Sequence, residues 1–217
     1  MILVIASFHR SFTSLTAQWL HAAGISFPGP LMGAGVGNEF GHFENLDFLS
    51  LSTRFNQGQI SAASATGLFR EQYAEQIESE SWFALKAPDA VPIALELVKK
   101  GYVSWLIIPS RPFKEISDSY CRRLNSQLEK GVFRFSLLKR TPFLYPIWMA
   151  YHKHLLARSF RLNQESLRKA MTLENAAIID FSQSSASEMR ICDLKLPKTE
   201  GLNVHIRLSS VQKKPLR

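Results

Sequence analysis

A short apolar run near the start of the chain gives way abruptly to a loop of hydroxyl and cationic side chains. Residues 2–6, Ile-Leu-Val-Ile-Ala, are typical of a strand buried on both faces, and an amphipathic helix is predicted over residues 14–23. Because the loop amides and the first amides of a helix point toward one place, this arrangement predicts an anion-binding site. The side chains that could serve it are Arg10, Ser11, Thr13, Ser14 and Thr16.

Buried runs and helical patterns alternate along the rest of the chain. Strands are predicted at residues 82–86, 103–109 and 176–180, and helices at residues 68–77, 90–100, 112–128, 142–160 and 164–171, with another helix that begins near Glu44 or Asn45. Residues 25–41 are rich in glycine and proline and predict a long irregular loop. Alternating strands and helices of this kind indicate a three-layer α/β fold, a parallel sheet with helices on both faces. We expect a single domain over residues 1–217, with a peripheral basic segment at about 190–217.

The net charge of +8 favours anionic partners: nucleotides, phosphosulfates, polyanions or nucleic acid. Nucleic acid rests on net charge alone and is the weakest of these. Cys121 and Cys192 are far apart, and His152 and His154 lack a carboxylate at metal spacing, so no metal site is expected. Reduced cysteines, with neither a signal peptide nor an apolar run of about 18 residues, predict a cytoplasmic protein without a membrane span.

Cationic and hydroxyl side chains follow three of the predicted strands. Arg10 lies after the first strand, Lys86 ends the second, and Ser110 and Arg111 follow the third. Because the carboxyl ends of parallel strands meet at one edge of a sheet, we expect three cationic groups to converge on one crevice.

The same residues resemble the signature of the sulfotransferases that use 3′-phosphoadenosine 5′-phosphosulfate (PAPS) as donor. Residues 10–14, Arg-Ser-Phe-Thr-Ser, are similar to the family's (K/R)-S-G-T-(S/T) loop, which follows a strand and binds the 5′-phosphosulfate. Arg111 and Ser119 have the spacing of the family's pair that binds the 3′-phosphate, and Ser117 on the same predicted helix is the alternative to Ser119. Phe12 stands where the family loop usually has glycine.

Three further stretches are similar to family elements and follow in the expected order: residues 41–45 (Gly-His-Phe-Glu-Asn), residues 148–156 with Trp148 and Tyr151, and residues 178–181 (Ile-Ile-Asp-Phe). The resemblance implies a P-loop-NTPase-like sulfotransferase fold and PAPS as co-substrate, with no metal. It also implies transfer of the sulfuryl group to a hydroxyl or amine of a sugar or small metabolite. The donor-binding residues it implies are Arg10, Ser11, Phe12, Thr13, Ser14, Leu15, Thr16, Arg111 and Ser119.

Catalytic roles also follow from the resemblance. Lys86 would join Arg10 and the loop amides in stabilising charge on the leaving 5′-phosphate. Many family members have a histidine base where this chain has Pro88, so Glu44 is the candidate base and His42 the alternative. Variable loops would build the acceptor pocket, here at residues 25–43, 56–67 and 126–145. The identity of the acceptor and the oligomeric state stay open.

Other interpretations stay open beside this one. Glu44 in the first turn of a helix would also be an ordinary dipole partner, and Arg111 could cap a turn. Phe12 in the loop favours a non-catalytic member of the same fold that holds a nucleotide or polyanion. A P-loop-type kinase would share the layout, but the chain lacks the Walker lysine motif and has only the late Asp180 as an acidic strand end.

Overall fold

A four-stranded parallel sheet is the centre of the fold in the computed structural model, which describes residues 1–33, 42–79, 81–129 and 142–180. The strands are β1 (Ile2–Ile5), β2 (Leu31–Met32), β3 (Glu44–Asn45), β4 (Phe83–Lys86), β5 (Trp105–Ser110) and β6 (Ala176–Asp180). The helices are α1 (Thr13–Ala22), α2 (Leu46–Asn56), α3 (Ala62–Gln72), α4 (Ala74–Glu78), α5 (Val91–Lys99), α6 (Phe113–Glu129) and α7 (Tyr145–Met171), with a 3₁₀ turn at Pro142–Leu144. The expected basic segment at about 190–217 and Cys192 lie outside the described residues.

β1 lies in the interior of this sheet, whose order is β4–β1–β5–β6 with every pairing parallel. Ile5 is in register with Lys86 on one side and with Ile107 on the other. The chain passes from β1 to β4 and then crosses to β5 on the opposite side, which creates a topological switch point beside β1. Ligands of open α/β sheets bind at such a point, outside the carboxyl ends of the strands.

Side chains of β1 alternate between two hydrophobic clusters, one on each face of the sheet. Ile2 and Val4 pack with buried residues of α2, α3 and α5, whereas Leu3 and Ile5 pack with those of α1. Burial of one aliphatic side chain contributes about 1.5–3 kcal/mol, so these contacts fix β1 and the start of the loop that follows it. The expected α/β fold with a parallel sheet flanked by helices is confirmed.

The last described helix differs from the sequence expectation. Two helices are predicted at residues 142–160 and 164–171, but α7 is one continuous helix. Residues 161–163 are Arg-Leu-Asn, which contain neither the glycine nor the proline that would interrupt a helix. α7 is 27 residues long, yet no helix in the described part of the chain combines the length and apolarity needed to cross a membrane.

The helix expected over residues 68–77 shows the opposite difference, because these residues belong to two helices, α3 and α4. They meet at Tyr73, whose backbone leaves the helical region at a φ of −115°. The Tyr73 side chain is buried, and its hydroxyl donates to the Asn45 side-chain oxygen at 2.8 Å. A long-range contact therefore accompanies the break, and local helical periodicity does not reveal it.

The predicted irregular loop at residues 25–41 contains a strand in its described part. β2 pairs antiparallel with β3, and Glu44 therefore lies in a strand rather than in the first turn of a helix. α2 begins two residues later, with Asn45 as its N-cap and the Asn45 side chain accepting from the Phe48 amide at 2.7 Å. The alternative in which Glu44 lies in the first turn of a helix is therefore wrong, because β3 holds it before the helix.

Candidate active site

The loop after β1 has two residues in the left-handed region of backbone space. Arg10 has a φ of 68°, and Phe12, the N-cap of α1, has a φ of 63°. The Ser7 hydroxyl donates to the Pro109 carbonyl at 2.6 Å, which ties the start of the loop to β5. Successive turns between right- and left-handed backbone point amides inward and make anion-binding concavities. The two left-handed residues of the loop therefore favour such a concavity.

Phe12 has a positive φ, a conformation that favours glycine over residues with a side chain. A left-handed conformation costs a side-chain-bearing residue about 1–2 kcal/mol. The Phe12 ring compensates in part, because the Arg111 guanidinium lies 4.3 Å from the ring centroid and the ring packs against the cluster of Leu3 and Ile5. Such a cation–π contact contributes about 0.5–2 kcal/mol. Phe12 thus fits the loop, at the cost of a strained backbone.

The first turn of α1 presents backbone amides toward the loop. Thr13, Ser14 and Leu15 precede the first intrahelical hydrogen bond, which runs from the Thr16 amide to the Phe12 carbonyl at 3.0 Å. The Phe12 side chain makes no capping hydrogen bond to this turn. Leu15 and Thr16 have buried side chains, and the Thr16 hydroxyl donates to the Phe12 carbonyl, so Leu15 can serve a ligand only through its amide.

Thr13 and Ser11 are also buried side chains of the predicted site. Ser11 is 1% exposed and Thr13 is 5% exposed, and the Ser11 amide donates to the Phe8 carbonyl at 3.3 Å. Of the four predicted donor-binding hydroxyl side chains, those of Ser11, Thr13, Ser14 and Thr16, Ser14 is the one that meets a predicted catalytic residue, Lys86. The Thr16 hydroxyl thus supports the backbone of the first turn, whereas the Ser14 hydroxyl meets Lys86.

Lys86 is fully buried at the end of β4, where its ammonium group meets polar atoms of three residues. Its Nζ donates to Ser14 Oγ at 3.0 Å, to Glu44 Oε1 at 3.1 Å and to the His42 carbonyl oxygen. An ammonium group has three donors, so these contacts satisfy it. Burial lowers the pKa of Lys86, and the Glu44 carboxylate opposes that shift. The predicted loop, the predicted lysine and the predicted base are therefore in contact.

Both candidate bases lie in this same corner. His42 Nδ1 is 3.7 Å from Glu44 Oε1, and the two side chains are 13% and 12% exposed. Burial lowers the pKa of His42. The Glu44 carboxylate raises it, and the positive charges of Lys86, Arg123 and Arg10 lower it further. His42 is consequently neutral at pH 7 and able to accept a proton.

Arg10 and the two residues of the predicted 3′-phosphate pair form a second cluster. Arg10 donates to Ser119 Oγ from Nε at 3.2 Å and from Nη2 at 3.0 Å. Arg111 donates to the Arg10 carbonyl at 3.4 Å and to the Glu115 carboxylate at 2.8 Å. The structure therefore brings Arg111 and Ser119 to the loop through Arg10, and Ser119 rather than Ser117 receives the hydrogen bonds of Arg10.

Further arginines crowd this cluster, and the sequence motifs did not identify them. Burial lowers the pKa of Arg10 to about 10, and nearby guanidinium groups add to the effect. They belong to Arg123, Arg111 and Arg122, in decreasing order of effect. Arg122 and Arg123 follow Ser119 by three and four residues on α6, the spacing that places side chains on one helix face. That spacing is the signal that could have revealed them.

A cavity of about 250 Å³ adjoins the second cluster. Its lining combines hydroxyl side chains of the first loop with residues from β5, α6 and α7, among them Ser7, Ser11, Ser110, Arg111, Gln164 and Arg168. The cavity shows that the carboxyl ends of β1 and β5 border open space. The candidate site thus has room beside its arginines.

Comparison of the chain with protein-family models, with curated proteins and with solved structures found no match. Within the described ranges, no group of three or more His, Cys, Asp or Glu side chains could hold a metal ion. The case for a function therefore rests on the geometry of the residues around the first loop.

Proposed function

We propose that the chain is a PAPS-dependent sulfotransferase with a P-loop-NTPase-like fold. It would transfer a sulfuryl group to a hydroxyl or amine of a carbohydrate or small-metabolite acceptor. The observation that carries this proposal is the convergence of Arg10, Lys86 and Arg111 on one loop and one helix N-terminus. They come from the ends of three adjacent parallel strands, where α/β sheets bind ligands.

The electrostatics of the site favour a ligand with two anionic ends. Three guanidinium groups act unfavourably on the positive charge of Arg10, and a bound phosphate would offset their effect. At the other end of the loop, Lys86, Ser14 and the first amides of α1 form a second anion site. PAPS has a 3′-phosphate for the Arg111 and Ser119 end and a 5′-phosphosulfate for the Lys86 end.

In the proposed reaction the acceptor oxygen or nitrogen attacks sulfur while the bond from sulfur to the 5′-phosphate oxygen breaks. The electron pair leaves with 3′-phosphoadenosine 5′-phosphate, and Lys86 and the helix amides stabilise the charge that builds there. The acceptor proton passes to Glu44 or to the neutral His42. Before the donor binds, Glu44 neutralises Lys86, so the phosphosulfate would compete for the ammonium group and free the carboxylate for the acceptor.

Calorimetry of the purified chain tests donor recognition. We expect 3′-phosphoadenosine 5′-phosphate to bind without a metal, and ATP with Mg²⁺ to show no binding. The reverse preference would favour a P-loop-type kinase, and no binding of either would contradict both nucleotide-dependent enzymes.

A non-catalytic nucleotide binder is the second candidate, and the strained Phe12 in the donor loop favours it. Transfer of ³⁵S from labelled PAPS to a panel of sugars and small alcohols and amines separates the two. An enzyme should label an acceptor, and Glu44→Gln should abolish that labelling without loss of donor binding. Donor binding with no labelled product from any acceptor would favour the binder.

A further inference from the structure

The outer face of α7 carries a row of exposed apolar side chains. Ile147, Tyr151 and Leu155 recur at intervals of four residues, which places them on one side of the helix. Phe143 precedes the row, and Leu162 extends it along the same side. The exposed fractions are 73% for Phe143, 68% for Ile147, 58% for Tyr151 and 74% for Leu162. From Ile147 to Leu162 this α7 outer face is about 22 Å long, since a helix rises 1.5 Å per residue.

Tyr151, one of the two aromatic residues named in the resemblance over residues 148–156, points outward. Trp148 is half-buried, and its ring lies 4.6 Å from the His152 ring on the inner side of the helix. α7 thus separates an inner side that packs on the domain from an apolar outer side.

Cationic side chains lie among the apolar residues of α7. Arg158, Arg161 and Lys169 are exposed, and their spacing from Ile147 places them on the same side of the helix. Over residues 130–171 of the sequence the only acidic residue is Glu165, and its carboxylate pairs with Lys169 at 2.7 Å. The α7 outer face is therefore apolar and carries a net positive charge, that of Arg158 and Arg161.

The combination of apolar and positively charged side chains favours one kind of binding partner for the α7 outer face over others. A second copy of the chain would present an equally positive face, and like charges would oppose the contact. In the sequence just before α7, residues 130–141 contain four basic residues (Lys130, Arg134, Lys139 and Arg140) and no acidic residue. Nucleic acid offers phosphates to the arginines but no apolar layer to Ile147 and Tyr151. An anionic lipid bilayer offers both, at its headgroups and at the acyl boundary beneath them.

We propose that the α7 outer face attaches the protein to an anionic lipid surface, with α7 parallel to the membrane plane. Ile147, Tyr151 and Leu162 enter the boundary between headgroups and acyl chains, and the arginine side chains extend to the lipid phosphates. This attachment is peripheral and does not depend on the proposed transferase activity.

Co-sedimentation of the whole chain with vesicles tests the proposal. Vesicles of phosphatidylcholine with about 30% phosphatidylserine should bind at least ten-fold more tightly than phosphatidylcholine alone, and added salt should weaken the binding. Ile147→Ser with Tyr151→Ser, and separately Arg158→Glu with Arg161→Glu, should each weaken it roughly ten-fold or more. Thermal melts would show that each variant is folded, as expected for exposed side chains.

Leu68→Ser with Arg70→Glu is the matched control, because both residues are exposed on α3. This variant should bind vesicles like the wild type. Equal binding to neutral and anionic vesicles, binding that survives the Ile147 and Tyr151 changes, or an equal loss in the α3 control would overturn the proposal. So would a dimer that Ile147→Ser dissociates, or binding to nucleic acid, in a protein that does not bind anionic vesicles.

Discussion

Lys86 Nζ lies 3.1 Å from the Glu44 carboxylate, and the lysine side chain of this ion pair is fully buried. The pair joins the end of β4 to the strand before α2, and Ser14 at the start of α1 shares the same ammonium group. The buried Lys86 charge needs the Glu44 counter-charge, because no bulk water reaches the ammonium group to solvate it. Glu44 therefore has a structural role in the free protein in addition to the catalytic role proposed for it.

Removal of Glu44 should destabilise the fold. Glu44→Ala leaves the Lys86 charge buried without a counter-charge, and we expect the free energy of unfolding to fall by about 3 kcal/mol in urea denaturation. Glu96→Ala is the control, since Glu96 forms an exposed pair with Lys99 and should lose less than about 1 kcal/mol. Similar small losses in both variants would show that the Lys86 charge does not depend on Glu44.

Acidification should destabilise the protein through His42. Burial lowers the pKa of His42 below its ordinary value of 6.5, so the unfolded chain takes up this proton at a higher pH than the folded chain. The stability contributed by neutral His42 is complete above pH 6.5 and is lost as the pH falls toward the folded-state pKa. Urea denaturation at a series of pH values should show a shallower decline for His42→Gln, and superimposable profiles would contradict the assignment.

Substitutions of Phe12 should reverse the usual ranking of alanine and glycine in helical segments. Phe12→Ala keeps the left-handed strain and loses the ring contacts, whereas Phe12→Gly removes the strain as well as the ring. We expect the glycine variant to be more stable than the alanine variant by about 1 kcal/mol in thermal or urea unfolding. At Gln18, within α1, alanine should instead be the more stable by about 1 kcal/mol. Alanine ranking first at both positions would show that Phe12 carries no such strain.

Arg123→Gln should have opposite effects on stability and on donor binding. It removes the largest of the neighbouring charges that act on Arg10, so the free protein should gain about 0.5–1 kcal/mol. The affinity for 3′-phosphoadenosine 5′-phosphate should fall roughly five-fold in calorimetry, which corresponds to about 1 kcal/mol. Arg70→Gln on α3 should change neither quantity. A loss of both stability and affinity in Arg123→Gln would indicate a structural role instead.

Arg111 should distinguish the two ends of the donor. Arg111→Ala should weaken 3′-phosphoadenosine 5′-phosphate at least ten-fold more than it weakens adenosine 5′-phosphosulfate, which has no 3′-phosphate. Because Arg111 also stacks on Phe12, both ligands will weaken somewhat through the loop. Equal weakening of the two ligands, measured by calorimetry, would contradict the assignment of the 3′-phosphate end.

The sheet and the strand-end cations were predictable from sequence because their signals are local. Four buried strands were expected where four parallel strands lie, and Lys86 was expected at the end of the second. Contact between Lys86 and Ser14 follows from the register of β1 and β4, since parallel strands carry their carboxyl ends to one edge. A continuous apolar run thus predicts a buried strand, and it also predicts that the last residue of this strand lies at the carboxyl edge of the sheet.

The rest of the site depends on contacts between residues distant in sequence. The β2–β3 ribbon has two residues per strand, too few for a periodic pattern, and so Glu44 was expected in a helix. The hydrogen bonds between Arg10 and Ser119 join residues that are 109 positions apart, and only the fold brings them together. Local pattern could not predict the left-handed Phe12 either, because its neighbours would suit an ordinary helix start.

The uncapped first turn of α1 has a consequence for how a ligand could be found. A capping side chain typically contributes about 1 kcal/mol, and Phe12 contributes no such bond. An anion that hydrogen-bonds to the amides of Thr13 and Ser14 would therefore complete the helix as well as fill the site. Ligand binding should then slow hydrogen exchange at these amides and raise the melting temperature. A thermal-shift screen of nucleotides and sulfated compounds would identify the ligand as the compound that raises the melting temperature by stabilising the first turn of α1.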